Sequence, residues 1–290
     1  MIMSQHLTSE KMAFNISLKR LPYFFLAGIA LITLIYSFGI NFTGFNYDQT
    51  DIAGKLAAPN FPHFFGTDPL GRDLLTRVLH GGKMSLSIGL LTAFFAFFIG
   101  TSYGSIAGYI GGKTDEIMMR LIDLIYSLPD LLVLSIIALF VSRSTSGIVI
   151  GLALINWMDV ARLTRTEIKK LKEEDFTEAL RSIGLNHRDI VLKHLLPNAM
   201  GSIIVALSFT VPRAILAEST LSFIGLGLSP PDTSWGTLAG DAWQYLRTDP
   251  HLIIFPSLMI FLTVFSLNQI GDHLRDMFSP HKAGEHILSR

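Results

Sequence analysis

Long uncharged apolar runs alternate with short polar connectors along most of this chain, and that alternation predicts helices that cross a lipid bilayer. Residues 21–40 form a run long enough for the roughly 30 Å hydrocarbon layer. Further runs follow at 84–110, at 118–141 with Pro129 inside it, at 147–163, at 199–223 and at 252–270. The expected fold class is all-α, a polytopic membrane protein of six transmembrane helices. The charged island between the fourth and fifth runs, residues 173–197, breaks the pattern. Within it Phe176, Ala179, Leu180 and Ile183 recur at i, i+3, i+4 and i+7, one apolar face, while Thr177, Glu178, Arg181 and Ser182 face away. Asp175 and Glu178 have capping-box spacing, Gly184 suits a left-handed helix end, and Asn186 can cap a second short helix that Pro197 limits. A helix of two turns is unstable alone, so this knuckle needs something to hold it.

The segment between the first two runs predicts an interfacial helix over residues 67–79. Thr67 or Asp68 would cap it, Pro69 would occupy its first turn, and Gly81-Gly82 would turn the chain inward. The resulting organisation is a tail (1–20), an anchor (21–40), an extracytoplasmic segment (41–83), a five-helix core (84–276) carrying the short amphipathic helix at 176–184, and a second tail (277–290). Lys and Arg concentrate in the knuckle segment, the tails and the turn at 111–116. About sixteen fall on that side against about seven on the other, which makes the knuckle and both termini cytoplasmic.

Composition agrees with a membrane protein: half of the 290 residues are hydrophobic and 16% are charged, below the quarter usual for soluble domains. The formal net charge of +0 gives no reason to expect nucleic acid, and the absence of cysteine excludes disulfides and thiolate chemistry. The nine His are scattered rather than spaced as ligands, so no metal site is expected. Residues 107–114, AGYIGGKT, approach a phosphate-binding loop but follow a membrane run instead of a strand. Gly100, Ser102 and Gly104 match a nucleophile-elbow pattern, yet the four-residue period Gly100, Gly104, Gly108, Gly112 is explained by close helix packing. Asp130, Arg213 and Glu218 lie within apolar runs, where charge is costly, so each should face a cavity or another subunit. A structural pairing of Arg213 with Glu218 and a contact with cargo both remain open.

Glu178-Ala179, then Gly184, then Leu196-Pro197 resembles the EAA signature of membrane subunits of binding-protein-dependent ABC importers. Leu180 and His194 depart from the usual residues. The resemblance extends over nearly the whole chain to the second membrane subunit of peptide and nickel importers. It includes Gly66-Thr67-Asp68 with Gly71-Arg72-Asp73, then Ala107-Gly108-Tyr109 with Asp115, Arg120 and Asp123. Trp157 with Arg162 and Arg165 follows, and then Leu221-Ser222-Phe223, Ser234-Trp235-Gly236 and Gly271-Asp272.

That resemblance implies a type I importer permease in the bacterial inner membrane, with no cofactor of its own. It implies a heterodimer with a second, homologous permease and two cytoplasmic ATPases that carry ATP and Mg. It also implies an extracytoplasmic binding protein that delivers di- or oligopeptides, or else nickel or a metal chelate. Phe176, Glu178, Ala179, Leu180 and Gly184 would couple to an ATPase. Asp68, Arg72, Asp73 and Trp235 would receive the binding protein. Two rival classes are weighed against it: an ion-coupled carrier with Asp130 as its coupling site, and a membrane enzyme acting through Ser102.

Overall fold

A computed structural model describes Gly28, residues 43–140 and residues 143–278. The anchor at 21–40 and both tails expected from the sequence lie outside these residues, except for Gly28 and for residues 277–278 at the end of the last helix. The described part is helical, with one isolated two-residue bridge, Thr67 with Asp73. Its helices are α1 (Leu74–Ile110), α2 (Gly112–Tyr126), α3 (Asp130–Phe140), α4 (Thr145–Lys172), α5 (Asp175–Ser182), α6 (His187–Phe223), α7 (Trp235–Ala242) and α8 (His251–Phe278). Among the described residues α1, α4, α6 and α8 are each long and apolar enough to span a membrane, and α2 with α3 can form a fifth span.

Three expectations about helix boundaries are corrected. No interfacial helix starts at Thr67 or Asp68. Asp73 is the cap, accepting from Thr76 N at 2.8 Å, and α1 then continues through Gly81-Gly82 without turning. Gly81 serves contact instead: a Cβ there would lie 3.0 Å from the carbonyl carbon of Ser234. In the second correction, Pro129 does more than interrupt a straight span. The proline lacks an N–H and disfavours helical geometry in the residue before it, and α2 and α3 meet at an 85° bend. The third concerns Pro197, which does not end a short helix. Residues Ile190–Leu195 wind as a π-helix just before it, and the chain carries on as one helix to Phe223. A wider turn re-spaces the backbone where the proline cannot donate, a recognised way to keep a helix continuous.

α1 and α4 pack along the glycine face read from the sequence. A Cβ on Gly100 would come within 2.6 Å of Val160 Cβ, and one on Gly108 within 2.7 Å of Arg165 O. Gly104 sits against Ala161 O, with Thr164 Cβ at 2.8 Å from the same imagined atom. Gly112 has nothing within 4 Å, so the period ends at Gly108. Gly104→Leu should therefore push the two helices apart and cost at least about 3 kcal/mol, the upper part of the range for overpacking. Thermal unfolding of the solubilised protein should show a drop of many degrees; an unchanged midpoint would refute the close approach.

Apolar layers fill the bundle from end to end. Ile88, Leu152, Ala214 and Leu221 form one layer. Val160, Ile168, Ile190, Leu195 and Ile203 form another near the knuckle, and Leu74, Val78, Trp235 and Leu252 close the opposite end. Many large apolar side chains on α1 and α8, including Phe94, Phe98, Phe261 and Phe265, remain on the outside, as a bilayer or partner subunits require.

Candidate functional site

The knuckle projects from the bundle at the end where α4 stops. α4 runs past the apolar layer to Lys172, and Glu173 and Glu174 join it to α5. Thr177 pins the junction: its hydroxyl donates to Leu171 O at 2.7 Å and its side chain is fully buried. The side expected to look away thus contains the residue that faces the chain. Nor does the expected capping box form. The N-cap is Glu174 without a side-chain bond, and Asp175 is already inside the helix. Its C-terminus does close as expected. Gly184, at φ +80°, donates to Arg181 O at 2.9 Å, and Leu185 N donates to Leu180 O at 3.2 Å, the paired bonds of a Schellman motif.

This closure divides the apolar face. Leu180 and Leu185 pack back onto the layer around Ile168 and Ile190, so Leu180 belongs in part to the protein's own core rather than wholly to a partner's groove. Phe176, 39% exposed, and Ile183, 73% exposed, point outward together with Ala179. Beside them opens a groove of about 880 Å³ lined by Glu178, Arg181, Lys169, Lys172 and the Gly108–Gly112 turn. Glu178 is exposed, and its carboxylate has no partner among the described residues. The result is an apolar wedge with a charged flank.

Its base is held firmly. Asp115 at the start of α2 accepts from both Arg165 nitrogens on α4, the Nη2 contact at 2.6 Å, and from Lys169 at 3.2 Å. Lys172 donates to Tyr109 O at 2.6 Å, and the Tyr109 hydroxyl meets His187 Nδ1 at 2.6 Å. These bonds tie α1, α2, α4 and α6 together around the knuckle.

In the middle of the bundle the sequence residues separate. Arg213 does not pair with Glu218; it donates to Asp159 at 2.7 Å, and both side chains are exposed on one face. Tyr126 also donates to Asp159, and Arg162 bonds Asp123 at 2.6 Å while lying over the Tyr126 ring at 4.4 Å. Asp130 is exposed as well. An exposed polar strip at this depth needs water or another protein against it. Glu218 faces neither: it is 0% exposed and accepts from Ser222 at 2.6 Å and Ser234 at 2.5 Å. Asp159 and Tyr126 were not singled out from the sequence as a site, because a single carboxylate near a span's end and one tyrosine carry no spacing signal.

At the opposite end, three of the residues expected to receive a delivery protein are internal. Asp68 binds Leu70 N, Arg72 N and Arg72 Nε, and Asp73 combines its capping bonds with one to His63 Nδ1 at 2.9 Å. Trp235, 2% exposed, donates from its ring to Val78 O at 2.9 Å. Gly71, at φ +73°, has no room for a side chain because Asp51 O stands where the Cβ would be. This motif folds a loop over the start of α1, and Asp68, Asp73 and Trp235 latch it from within the chain. Nearby, burial pushes the Asp241 carboxyl up, with Arg77 and Arg72 pulling the other way. Among the described residues no group of acidic, His or Cys side chains is arranged to hold a metal ion.

Residues 100–284 match the family model described as the inner membrane component of binding-protein-dependent transport systems. The oligopeptide transport system permease protein OppC of Bacillus subtilis is 38% identical over 87% of this chain and 83% of its own. The dipeptide transport system permease protein DppC of the same organism is 40% identical over 77% and 70%. Among solved structures, an inward-facing MetNI methionine ABC transporter matches 71% of this chain and 98% of its own at a TM-score of 0.58 and 17% identity, a likeness of fold.

Proposed function

Because the chain belongs to the family of inner membrane components of binding-protein-dependent transport systems, we propose that it is one of two membrane subunits of an ATP-driven importer of di- and oligopeptides. ATP hydrolysis lies with partner subunits, and this chain supplies half of the pathway. The knuckle faces the cytoplasm and seats in a groove of an ATPase. Phe176, Ala179 and Ile183 enter the groove, Glu178 orients the helix by polar contact, and Gly184 returns the chain to the bundle. The single observation that carries this reading is the wedge itself, an apolar face turned away from its own chain and braced from below. As the ATPases close, α5 moves as a rigid body and takes α4 and α6 with it. The polar strip of Asp130, Asp159 and Arg213 then lines the contact with the second permease, where alternating access passes cargo. Arg72 and the surface of the loop above Trp235 receive the binding protein, and both termini are cytoplasmic. Peptide cargo is supported by the oligopeptide and dipeptide transport systems to which the relatives belong.

Reconstitution tests this directly. The chain would be placed in liposomes with its second permease, ATPases and binding protein, and uptake of a labelled dipeptide and a labelled pentapeptide followed. Uptake that needs ATP and the binding protein is expected. Uptake that survives without ATP and collapses with an ion gradient would assign the chain to the ion-coupled carriers instead.

A further inference from the structure

Below the knuckle, between the last turns of α1 and the first turns of α6, lies a slot of about 340 Å³ that the transport reading leaves unused. Its sides are apolar: exposed Ile106 and Ile110 come from α1, and exposed Leu192 with half-buried Leu196 from α6. Its mouth is cationic. Arg188, in the first turn of α6, is exposed, and its guanidinium has no ion-pair or hydrogen-bond partner among the described residues. His187 shares the mouth, and Arg181 lies over the neighbouring Tyr109 ring at 6.0 Å from its centroid. The nearest carboxylate along the helix, Asp189, is taken by Lys193 at 2.9 Å. Deeper in, Ser105 lines the slot with only 7% of its surface exposed, and its hydroxyl has no hydrogen-bond partner. A buried hydroxyl left unpaired costs free energy, which marks this as a loosely satisfied part of the wall.

We propose that this slot holds one anionic phospholipid, with its phosphate against Arg188 and His187 and an acyl chain along Ile106 and Leu192. The depth fits. Arg188 to Leu196 spans eight residues, most of them in the π-helical stretch Ile190–Leu195, so the wall runs up to about 12 Å from the cationic mouth toward the apolar part of the helix. The charge also fits, since cationic pockets between helix ends recognise lipid phosphates, and a helix start adds its own positive end. Among the described residues the slot opens on the outside of the bundle beside the helix that follows the wedge, so an occupied slot would brace α6 against α1 where the knuckle is anchored.

Native mass spectrometry of the assembled transporter, delipidated and titrated with phosphatidylglycerol or phosphatidylcholine in mixed micelles, reads this occupancy. One phosphatidylglycerol per copy of this chain should be retained in preference to phosphatidylcholine. Arg188→Gln should weaken that retention about fivefold, the worth of one cation near a membrane surface. Ser105→Phe should remove it by filling the slot, whereas Arg247→Gln, an exposed cation at the other end, should leave it unchanged. Because Arg188 is a surface residue, its variant stays informative even if Ser105→Phe fails to assemble. Equal retention of both lipids, equal retention by wild type and Arg188→Gln, or displacement by inorganic phosphate alone would overturn the proposal. A cross-link between Ser105→Cys and another membrane segment, in place of lipid, would overturn it too.

Discussion

Phe176→Asp is expected to abolish ATP-dependent uptake while leaving the membrane bundle intact. The side chain is 39% exposed and lies outside the buried apolar layers, so its loss costs the fold less than that of a core residue, whereas an aromatic anchor at the centre of an interface is commonly worth at least about 2 kcal/mol. That is about a 30-fold loss of docking affinity before the repulsion of a buried charge is counted. Co-purification of the ATPases should fail and the thermal midpoint of the isolated chain should hold. Glu178→Arg should retain the helix and weaken the complex. Gly184→Pro should do more, because its fixed φ cannot supply the +80° that closes the Schellman turn. A Phe176→Asp complex that still assembles and transports at the normal rate would remove α5 from the coupling path, whatever the fate of the rest of the reading.

Which features could be read in advance depended on how local their cause is. The period of Phe176, Ala179, Leu180 and Ile183 and the left-handed turn at Gly184 are properties of neighbouring residues; the helix and the turn form where the pattern put them, while Leu180 turns back onto the chain's own core. The face of Gly100, Gly104 and Gly108 was legible for the same reason: only small residues permit backbone approach, and the approach is visible against α4. Boundaries failed where a distant element decided them. Gly81-Gly82 looks like a turn until the N-terminus of α7 is seen lying against it. Pro197 looks like a stop until the π-helix ahead of it absorbs the missing donor. The latch motif was recognisable as a pattern, but the sequence could not show that Asp68 and Asp73 are consumed by amides of their own loop. Arg213 likewise found its partner, Asp159, 54 residues away, beyond any helical spacing rule.

Glu218 provides the other large expected effect, and its burial argues for a structural role. One carboxylate oxygen accepts from Ser222, one turn further along α6, and from Ser234, the N-cap of α7; the other oxygen is buried without a hydrogen bond. Ser234 in turn accepts from Thr237 N at 3.0 Å, and Gly236 presses on Ser219 so closely that a Cβ would come within 2.5 Å of its Cα. Glu218 is therefore the polar bolt between the end of α6 and the start of α7. Glu218→Ala should cost about 2–5 kcal/mol, from hydroxyls left unpaired and a cavity that closely packed neighbours cannot fill. Glu218→Gln keeps the shape and the accepting oxygen, and should stay within about 1 kcal/mol of wild type. Melting temperature and peptide uptake, measured together, separate the roles: a bolt loses both in Glu218→Ala and keeps both in Glu218→Gln. A Glu218→Gln protein that melts normally yet no longer transports would mean that the carboxylate itself handles cargo, and that the sealed position seen here opens during the cycle.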